Sequence, residues 1–313
     1  MSPLNGLLLV DKQPGCTSHD VVARARRILN TKAVGHAGTL DPLASGLLIL
    51  LIGEGTKVSD YILNGDKAYV VRAKLGVRTD TYDTDGKVLS EEKPDVTLEQ
   101  IQAAVKSLEG DIELEVPAHS AVKVDGKKLY ELARAGEKFE APMRKMGFYN
   151  LEIIEHGDDF VDVKMLCSKG TFVRAWVNAL GEKLGCGATV SSLRRVFSSP
   201  FKVDQALTLE EIEDRWSKRP LGESVDGDVV APSWIPLRES LPAFKIAWVE
   251  GHDEKLLRNG QISKGLQAQL LKFVSLDGTA PPGVRVLSRE SQEMVAILLA
   301  APGEFYKIKR VFV

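Results

Sequence analysis

The chain has 313 residues, 44% of them hydrophobic and 27% charged, with a net charge of −2. This composition supports a large buried core in one big domain or two unequal ones, and excludes a generally basic nucleic-acid coat. It also excludes membrane-spanning helices, because no apolar run approaches the ~20 residues such a helix needs. Three cysteines, Cys16, Cys167 and Cys186, match no metal-ligand spacing and read as reduced thiols of a cytoplasmic protein. The opening residues lack a basic leader and a cleavage signature, so they read as a strand rather than a signal peptide. Charge is uneven along the chain. Residues 201–250 hold six basic and ten acidic side chains, whereas residues 251–313 hold nine and six. A basic tail of this kind suits an RNA-facing surface.

In chain order, Gly6 to Val10 reads as a strand. Ser18 to Leu29 reads as a helix capped by Thr17 or Ser18, with Val21, Val22, Ala25, Ile28 and Leu29 on one face and Arg24 and Arg27 opposite. Gly35 to Gly46, G-H-A-G-T-L-D-P-L-A-S-G, reads as a constrained loop. Its glycines permit backbone shapes that a Cβ forbids, and Pro42 favours an extended Asp41. Leu47 to Ile52 is an apolar run typical of a buried strand. Lys67 to Leu75 alternates, with Tyr69, Val71, Ala73 and Leu75 on one side. Thr97 with Gln100 forms a capping box for a helix closed by Gly110. Another helix spans Lys127 to Ala135 and ends at Gly136. Two strands follow near 147–155 and 159–167, around the turn His156-Gly157-Asp158. Val173, Val177, Leu180 and Leu184 form a helical stripe, and Thr208 with Glu211 forms a second capping box. Ser217 to Pro242 reads as a linker. Beyond it, Phe244 to Val249, Gln267 to Ser275, Val284 to Ser288, Met294 to Ala300 and Tyr306 to Val313 read as short strands, with turns at Asn259-Gly260 and Asp277-Gly278.

Strands and helices intermix without strict alternation. The expected fold is therefore α+β, with a mixed, largely antiparallel central sheet and flanking helices over residues 1–240, and a small β domain over residues 241–313.

Taken alone, Asp41 is a turn aspartate, since Asp-Pro is a common turn pair. Its context is more specific. Gly6 to Ser18, Gly35 to Gly46, Gly53 to Lys57, Lys67 to Tyr69, Leu75 to Thr81, Ser120 to Lys123, Gly126 to Tyr130, Cys167 to Arg174 and Leu193 to Arg195 together resemble, in collinear order over roughly residues 4–205, the TruB family of tRNA pseudouridine synthases. The resemblance implies the pseudouridine synthase fold and isomerisation of the T-loop uridine at tRNA position 55, with no cofactor and no metal. It implies Asp41 as nucleophile, a role that suits a carboxylate able to form and release a covalent bond. Arg174 matches the arginine that pairs with it. Tyr69 matches the tyrosine against which the extruded base stacks. His36 matches a histidine that fills the space left by the flipped nucleotide. Lys12 and Lys57 match positions that hold structure or phosphates, and Leu193 matches one that walls the uracil. One departure is visible at Pro117-Ala118-His119, where an aromatic residue is common in the family.

Between residues 123 and 145, seven basic side chains, Lys123, Lys127, Lys128, Arg134, Lys138, Arg144 and Lys145, face four acidic ones. In such a chain this reads as an RNA-clamping insertion at about 120–146, whereas alone it is an ordinary solvated helix face. The C-terminal stretch resembles a PUA-like RNA-binding module. The expected partner is the tRNA T stem-loop, with no membrane, no obligate protein partner, and a monomeric state. Rival readings are a non-catalytic tRNA-binding or tRNA-folding protein with the same fold, an RNA-guided pseudouridine synthase subunit, and an unrelated hydrolase using Asp41 and His36.

Overall fold

The structure is a computed structural model that describes residues 4–120, 122–124, 126–137, 139–218, 230–273, 283–301 and 304–312. Strand β1 (Gly6–Lys12) leads into α1 (Ser18–Ile28), whose cap is Thr17 with a reciprocal bond from Asp20. Strands β2 (Val34–Ala37) and β3 (Ser45–Ile52) flank the loop of Asp41. A short helix α2 (Ser59–Leu63) precedes β4 (Lys67–Leu75), and the hairpin β5 (Val77–Thr79) and β6 (Val88–Glu91) follows. Helix α3 (Leu98–Ser107) carries the expected Thr97/Gln100 capping box. Then come β7 (Gly110–Glu115), the two-residue strands β8 (Lys123–Val124) and β9 (Lys127–Lys128), and α4 (Leu129–Ala135). The long pair β10 (Met143–His156) and β11 (Phe160–Cys167) precedes α5 (Val173–Leu184), β12 (Ala188–Ser198), β13 (Phe201–Lys202) and α6 (Leu209–Ser217). The remainder is β14 (Trp234–Pro236), β15 (Lys245–Val249), α7 (Gly251–Arg258), α8 (Lys264–Leu271), β16 (Val284–Ser288), β17 (Met294–Ala301) and β18 (Glu304–Val311).

One sheet runs in the order β14-β1-β3-β12-β4-β11-β10-β7, with β2 beside β3 and β13 beside β12. It is mixed and largely antiparallel, as expected; β3 and β12 pair in parallel. Strand β3 meets β1 along its whole length on one edge, from Gly6 opposite Ile52 to Lys12 opposite Gly46. Its other edge is divided. Residues 49–52 pair with β2, while Ser45 and Gly46 pair with Arg194 and Arg195 of β12. The Asp41 loop fills this change of neighbour.

Strand β3 is apolar throughout because both its faces are covered. Leu48, Leu50 and Ile52 join the core that holds the α1, α3 and α5 side chains Val22, Val105 and Trp176. Leu47, Ile49 and Leu51 join a second core on the opposite face, together with Leu237, Leu241, Phe244, Met294, Ile297 and Phe312. The C-terminal part is thus packed onto the back of the main sheet. It has its own sheet, β15-β16-β17-β18, and a third core built on Val286, Leu298, Leu257 and Leu266.

Several expectations change. The C-terminal part is not all β. Gln267 to Ser275 read as a strand, but Lys264–Leu271 is a helix whose cap, Ser263, accepts a hydrogen bond from the Leu266 amide, and α7 precedes it. The Ser217 to Pro242 linker is partly core: Val230 and Trp234 are buried and β14 extends the sheet against β1, while 219–229 lie outside the described residues. The turn Asp277-Gly278 also lies outside them. Lys127 and Lys128 sit in β9, because the chain pairs with β8 before turning into α4. Arg144 and Lys145 lie on β10 of the main sheet, opposite Leu114 and Glu113 of β7. The helix of Thr97 stops at Ser107, and Gly110 (φ +99°) starts β7.

Candidate active site

His36 stands on β2 opposite Leu50, so the constrained loop begins only after Ala37. From there to Ser45 the chain is held from four sides. The buried Lys12 ammonium donates to the carbonyls of Ala44 at 2.6 Å, Pro42 at 3.2 Å and Gln13 at 3.1 Å. Ser18 Oγ donates to the Leu40 carbonyl at 3.1 Å and accepts from the Leu40 amide at 2.9 Å. The Gly15 amide donates to the Pro42 carbonyl at 2.8 Å. Arg195 donates through Nε to the Leu47 carbonyl at 2.7 Å and through Nη2 to the Gly38 carbonyl at 3.0 Å. Lys12 is therefore a loop anchor. Burial holds its ammonium below the usual lysine range, and the negative charge of Asp41 works against that shift.

Held this way, Asp41 meets Arg174 side-on. Oδ2 lies 2.9 Å from Nε, and Oδ1 accepts from Nη2 at 3.3 Å. The Asp41 side chain is 34% exposed and that of Arg174 6%. The buried guanidinium thus holds a half-open carboxylate from behind and aims it outward. Arg174 comes from the first turn of α5, directly after the Ser168-Lys169-Gly170-Thr171 turn. Its remaining N–H groups donate to the Thr81 carbonyl at 2.8 Å and the His119 carbonyl at 3.0 Å, and Nη1 stands 3.5 Å from Asp83 Oδ2. One guanidinium thus joins the Asp41 loop, the β5–β6 turn and the segment after β7. His119, where the sequence departs from the family pattern, touches the site through its backbone.

Tyr69 is half-buried on β4, directly opposite Arg195 of β12. Burial pushes its phenol above the usual tyrosine range, with the Arg195 charge opposing, so it stays neutral at physiological pH. His36 is held below the usual histidine range by burial and by the Arg195 charge, and is also neutral. Its buried Nδ1 has no partner among the described residues. Leu193 is buried opposite Val71, two pairs along from Tyr69 and Arg195, so it lies on the same face of the sheet as they do.

Lys57 is placed elsewhere. Its ammonium pairs with Glu54, donates to the Val311 carbonyl at 3.0 Å and lies 5.6 Å from the Phe312 ring centre, so it ties the C-terminal strand to the main sheet. In the basic patch, Lys123 is exposed on β8. Lys127 pairs with Glu137 at 3.2 Å, Lys128 with Glu131 at 3.8 Å and Lys145 with Asp111 at 2.9 Å. Arg144 is exposed, and its Nη1 lies 3.9 Å from where a Gly170 side chain would begin. Arg134 lies in α4; Lys138 is outside the described residues.

Two residues of the site carried no assignment from the sequence. Asp83 lies two positions past the matched stretch that ends at Thr81, in the acidic turn D-T-Y-D-T-D-G. Arg195 was part of a matched motif, and its signal was adjacency to Leu193.

The structure thus holds a half-open carboxylate against a buried cation at a seam of the sheet, with Tyr69 on the neighbouring strand opposite Arg195. Family models described as the TruB family pseudouridylate synthase N-terminal domain and the tRNA pseudouridylate synthase B C-terminal domain match residues 26–173 and 174–241. A protein from Bdellovibrio bacteriovorus named tRNA pseudouridine synthase B is 48% identical over 309 residues, covering 98% of this chain and 97% of that protein. One of the same name from Alkaliphilus oremlandii is 45% identical over 241 residues, covering 77% and 78%. A chain in the crystal structure of a Cbf5-Nop10-Gar1 complex has a TM-score of 0.71 at 25% identity, covering 99% of this chain and 85% of that one. The chain belongs to the TruB family of pseudouridylate synthases.

Proposed function

We propose that the protein isomerises the T-loop uridine at position 55 of tRNA to pseudouridine, with Asp41 as nucleophile. The observation that carries this reading is the side-on Asp41–Arg174 pair, with Asp41 open to solvent and Arg174 buried behind it. The relatives named tRNA pseudouridine synthase B supply the substrate class.

The net reaction breaks the bond between uracil N1 and C1′ of the ribose and forms one between uracil C5 and C1′. A proton leaves C5 and one is taken up at N1, so no oxidant or reductant is needed. Backed by Arg174, Asp41 forms a bond to the nucleoside before the base turns and releases it when the C5–C1′ bond is made, so the free carboxylate is regenerated. Tyr69 offers the base a flat surface, and its neutral phenol can relay the proton leaving C5 to water, giving up its own proton as it takes that one up. His36, neutral and backed by β3, occupies the gap left by the extruded nucleotide, so its replacement costs less than that of Asp41.

Residues 1–240 form the catalytic unit in this reading, and residues 241–313 a PUA-like RNA-holding unit docked on the back of the sheet. The hairpin of Lys123, Lys127 and Lys128, together with Arg144 and Lys145, meets T stem-loop phosphates. The protein acts in the cytoplasm as a monomer.

Mapping pseudouridine in an unmodified tRNA transcript tests this. Conversion at position 55 supports the reading. Tight tRNA binding with no conversion favours a tRNA-folding protein on the same scaffold.

A further inference from the structure

We propose that Arg195 is a positioning residue for this isomerisation, its buried guanidinium fixing the Asp41 loop and the Tyr69 ring relative to each other. The proposal rests on the functional reading of Asp41 given above.

The placement is unusual for an arginine. Arg195 lies on β12, between its antiparallel partner Tyr69 on β4 and its parallel partner Gly46 on β3. It is 1% exposed, and among the described residues no carboxylate comes within ion-pair distance of it. A buried cation without a counter-charge is expensive to keep. Its neighbour Arg194 behaves conventionally, binding Asp11 with two donors at 3.0 and 2.8 Å.

What Arg195 has instead is the two ends of the Asp41 loop. Its bonds to the Gly38 and Leu47 carbonyls fall three residues before Asp41 and six after it. The loop backbone is shaped to accept this. Gly38 has φ +92° and Gly46 φ +97°, conformations that L side chains rarely adopt. A Cβ on Gly46 would lie 2.3 Å from the Arg195 carbonyl oxygen, and one on Gly38 would lie 3.3 Å from Nη1. Gly46 thus gives way to the β12 backbone at Arg195, and Gly38 to its guanidinium. Arg195 also adds to the burial that holds Lys12, His36 and Lys67 below their ordinary ranges. A lysine would keep that charge but could not span both carbonyls with a planar fork.

The test uses the full chain, an unmodified tRNA transcript, single-turnover conversion, tRNA binding by filter retention and a thermal melt. We expect Arg195→Lys, at a temperature where it is folded, to convert at least about 100-fold more slowly with tRNA affinity within about threefold of wild type. Gly38→Ala, which presses on Nη1 from the loop side, should slow conversion about tenfold with affinity unchanged. The double variant should be no slower than Arg195→Lys alone, because both changes break one arrangement.

A folded Arg195→Lys within about threefold of the wild-type rate would overturn the proposal, as would a rate loss matched by an equal loss of affinity. If Arg195→Lys does not fold, Arg195→Gln decides at a temperature where it is folded: a rate within about threefold of wild type overturns the proposal, and a loss of about tenfold or more at constant affinity sustains it. A wild-type protein that converts no uridine would overturn the functional reading itself, and this proposal with it. A converting wild type beside an unimpaired Arg195→Lys would overturn this proposal alone.

Discussion

Arg174 Nη1 and Asp83 Oδ2 stand 3.5 Å apart, both side chains nearly closed to solvent, along an edge of the guanidinium that Asp41 does not use. Asp83 is itself fixed: Oδ1 accepts from Thr81 Oγ1 at 2.6 Å and from the Asp85 amide at 3.2 Å. The order is therefore Asp83, then Arg174, then Asp41, with only the last open to substrate. Asp83→Asn removes the buried counter-charge and leaves the shape. Conversion should fall about 10- to 100-fold at unchanged tRNA affinity, with a stability loss of about 1–3 kcal/mol, read by single-turnover kinetics and a denaturant melt.

Arg174→Lys should cost more. An ammonium cannot meet Asp41 side-on while also reaching the Thr81 and His119 carbonyls. Three segments lose their common anchor, and conversion should fall about 10²- to 10³-fold, on the scale of misplacing a reacting group and losing a preorganised donor. Hydrogen exchange at the amides around His119 should rise in the same variant.

Much of this was legible in the residues. β1, β3, β4 and β16 announced themselves because apolar runs and strict alternation are local properties. The capping boxes at Thr97 and Thr208 did so because their partner lies three residues away. Strand β12 was not legible. Ser191, Ser192, Arg194 and Arg195 make a polar string, and only the neighbours β3 and β4, more than 100 residues distant in sequence, turn it into a central strand. Strand β2 is four residues with a glycine, too short to carry a pattern. Helix α8 was misread because its leucines outweighed the Ser263 cap. At the site, the resemblance pointed to Asp41, Tyr69 and Arg174 as a group. The buried ionic partner Asp83 and the clasp by Arg195 needed the three-dimensional arrangement, since neither follows from spacing along the chain.

Lys67 gives a pH-dependent prediction. Burial pulls its ammonium down to about 8, with the Arg195 charge adding, while it donates to the Leu63 carbonyl at 2.6 Å and to the Gly65 carbonyl. Between about pH 8 and the ordinary value of 10.5, the unfolded chain binds more protons at this position than the folded one. The Lys67 contribution to stability should therefore rise with pH across that window and be flat below it. Denaturant melts of wild type and Lys67→Met from pH 7 to 10.5 should diverge upward for wild type; a constant difference would refute the assignment.

The basic hairpin predicts a salt signature. Lys123 is exposed on β8, and the partners of Lys127 and Lys128 are surface carboxylates, so all three can turn toward phosphate. Replacing Lys123 and Lys127 with alanine should weaken tRNA binding and lower the slope of log Kd against log salt by about 0.7–0.9 for each phosphate that is no longer neutralised. The conversion rate of bound tRNA should change little.

The most direct test is Asp41→Asn on an unmodified tRNA transcript, with pseudouridine mapped base by base and binding measured in parallel. Wild type should convert the T-loop uridine at position 55 with nothing added, and Asp41→Asn should convert none while binding tRNA within about threefold of wild type. Turnover by Asp41→Asn, or a wild type that grips tRNA and leaves every uridine unchanged, would contradict the account.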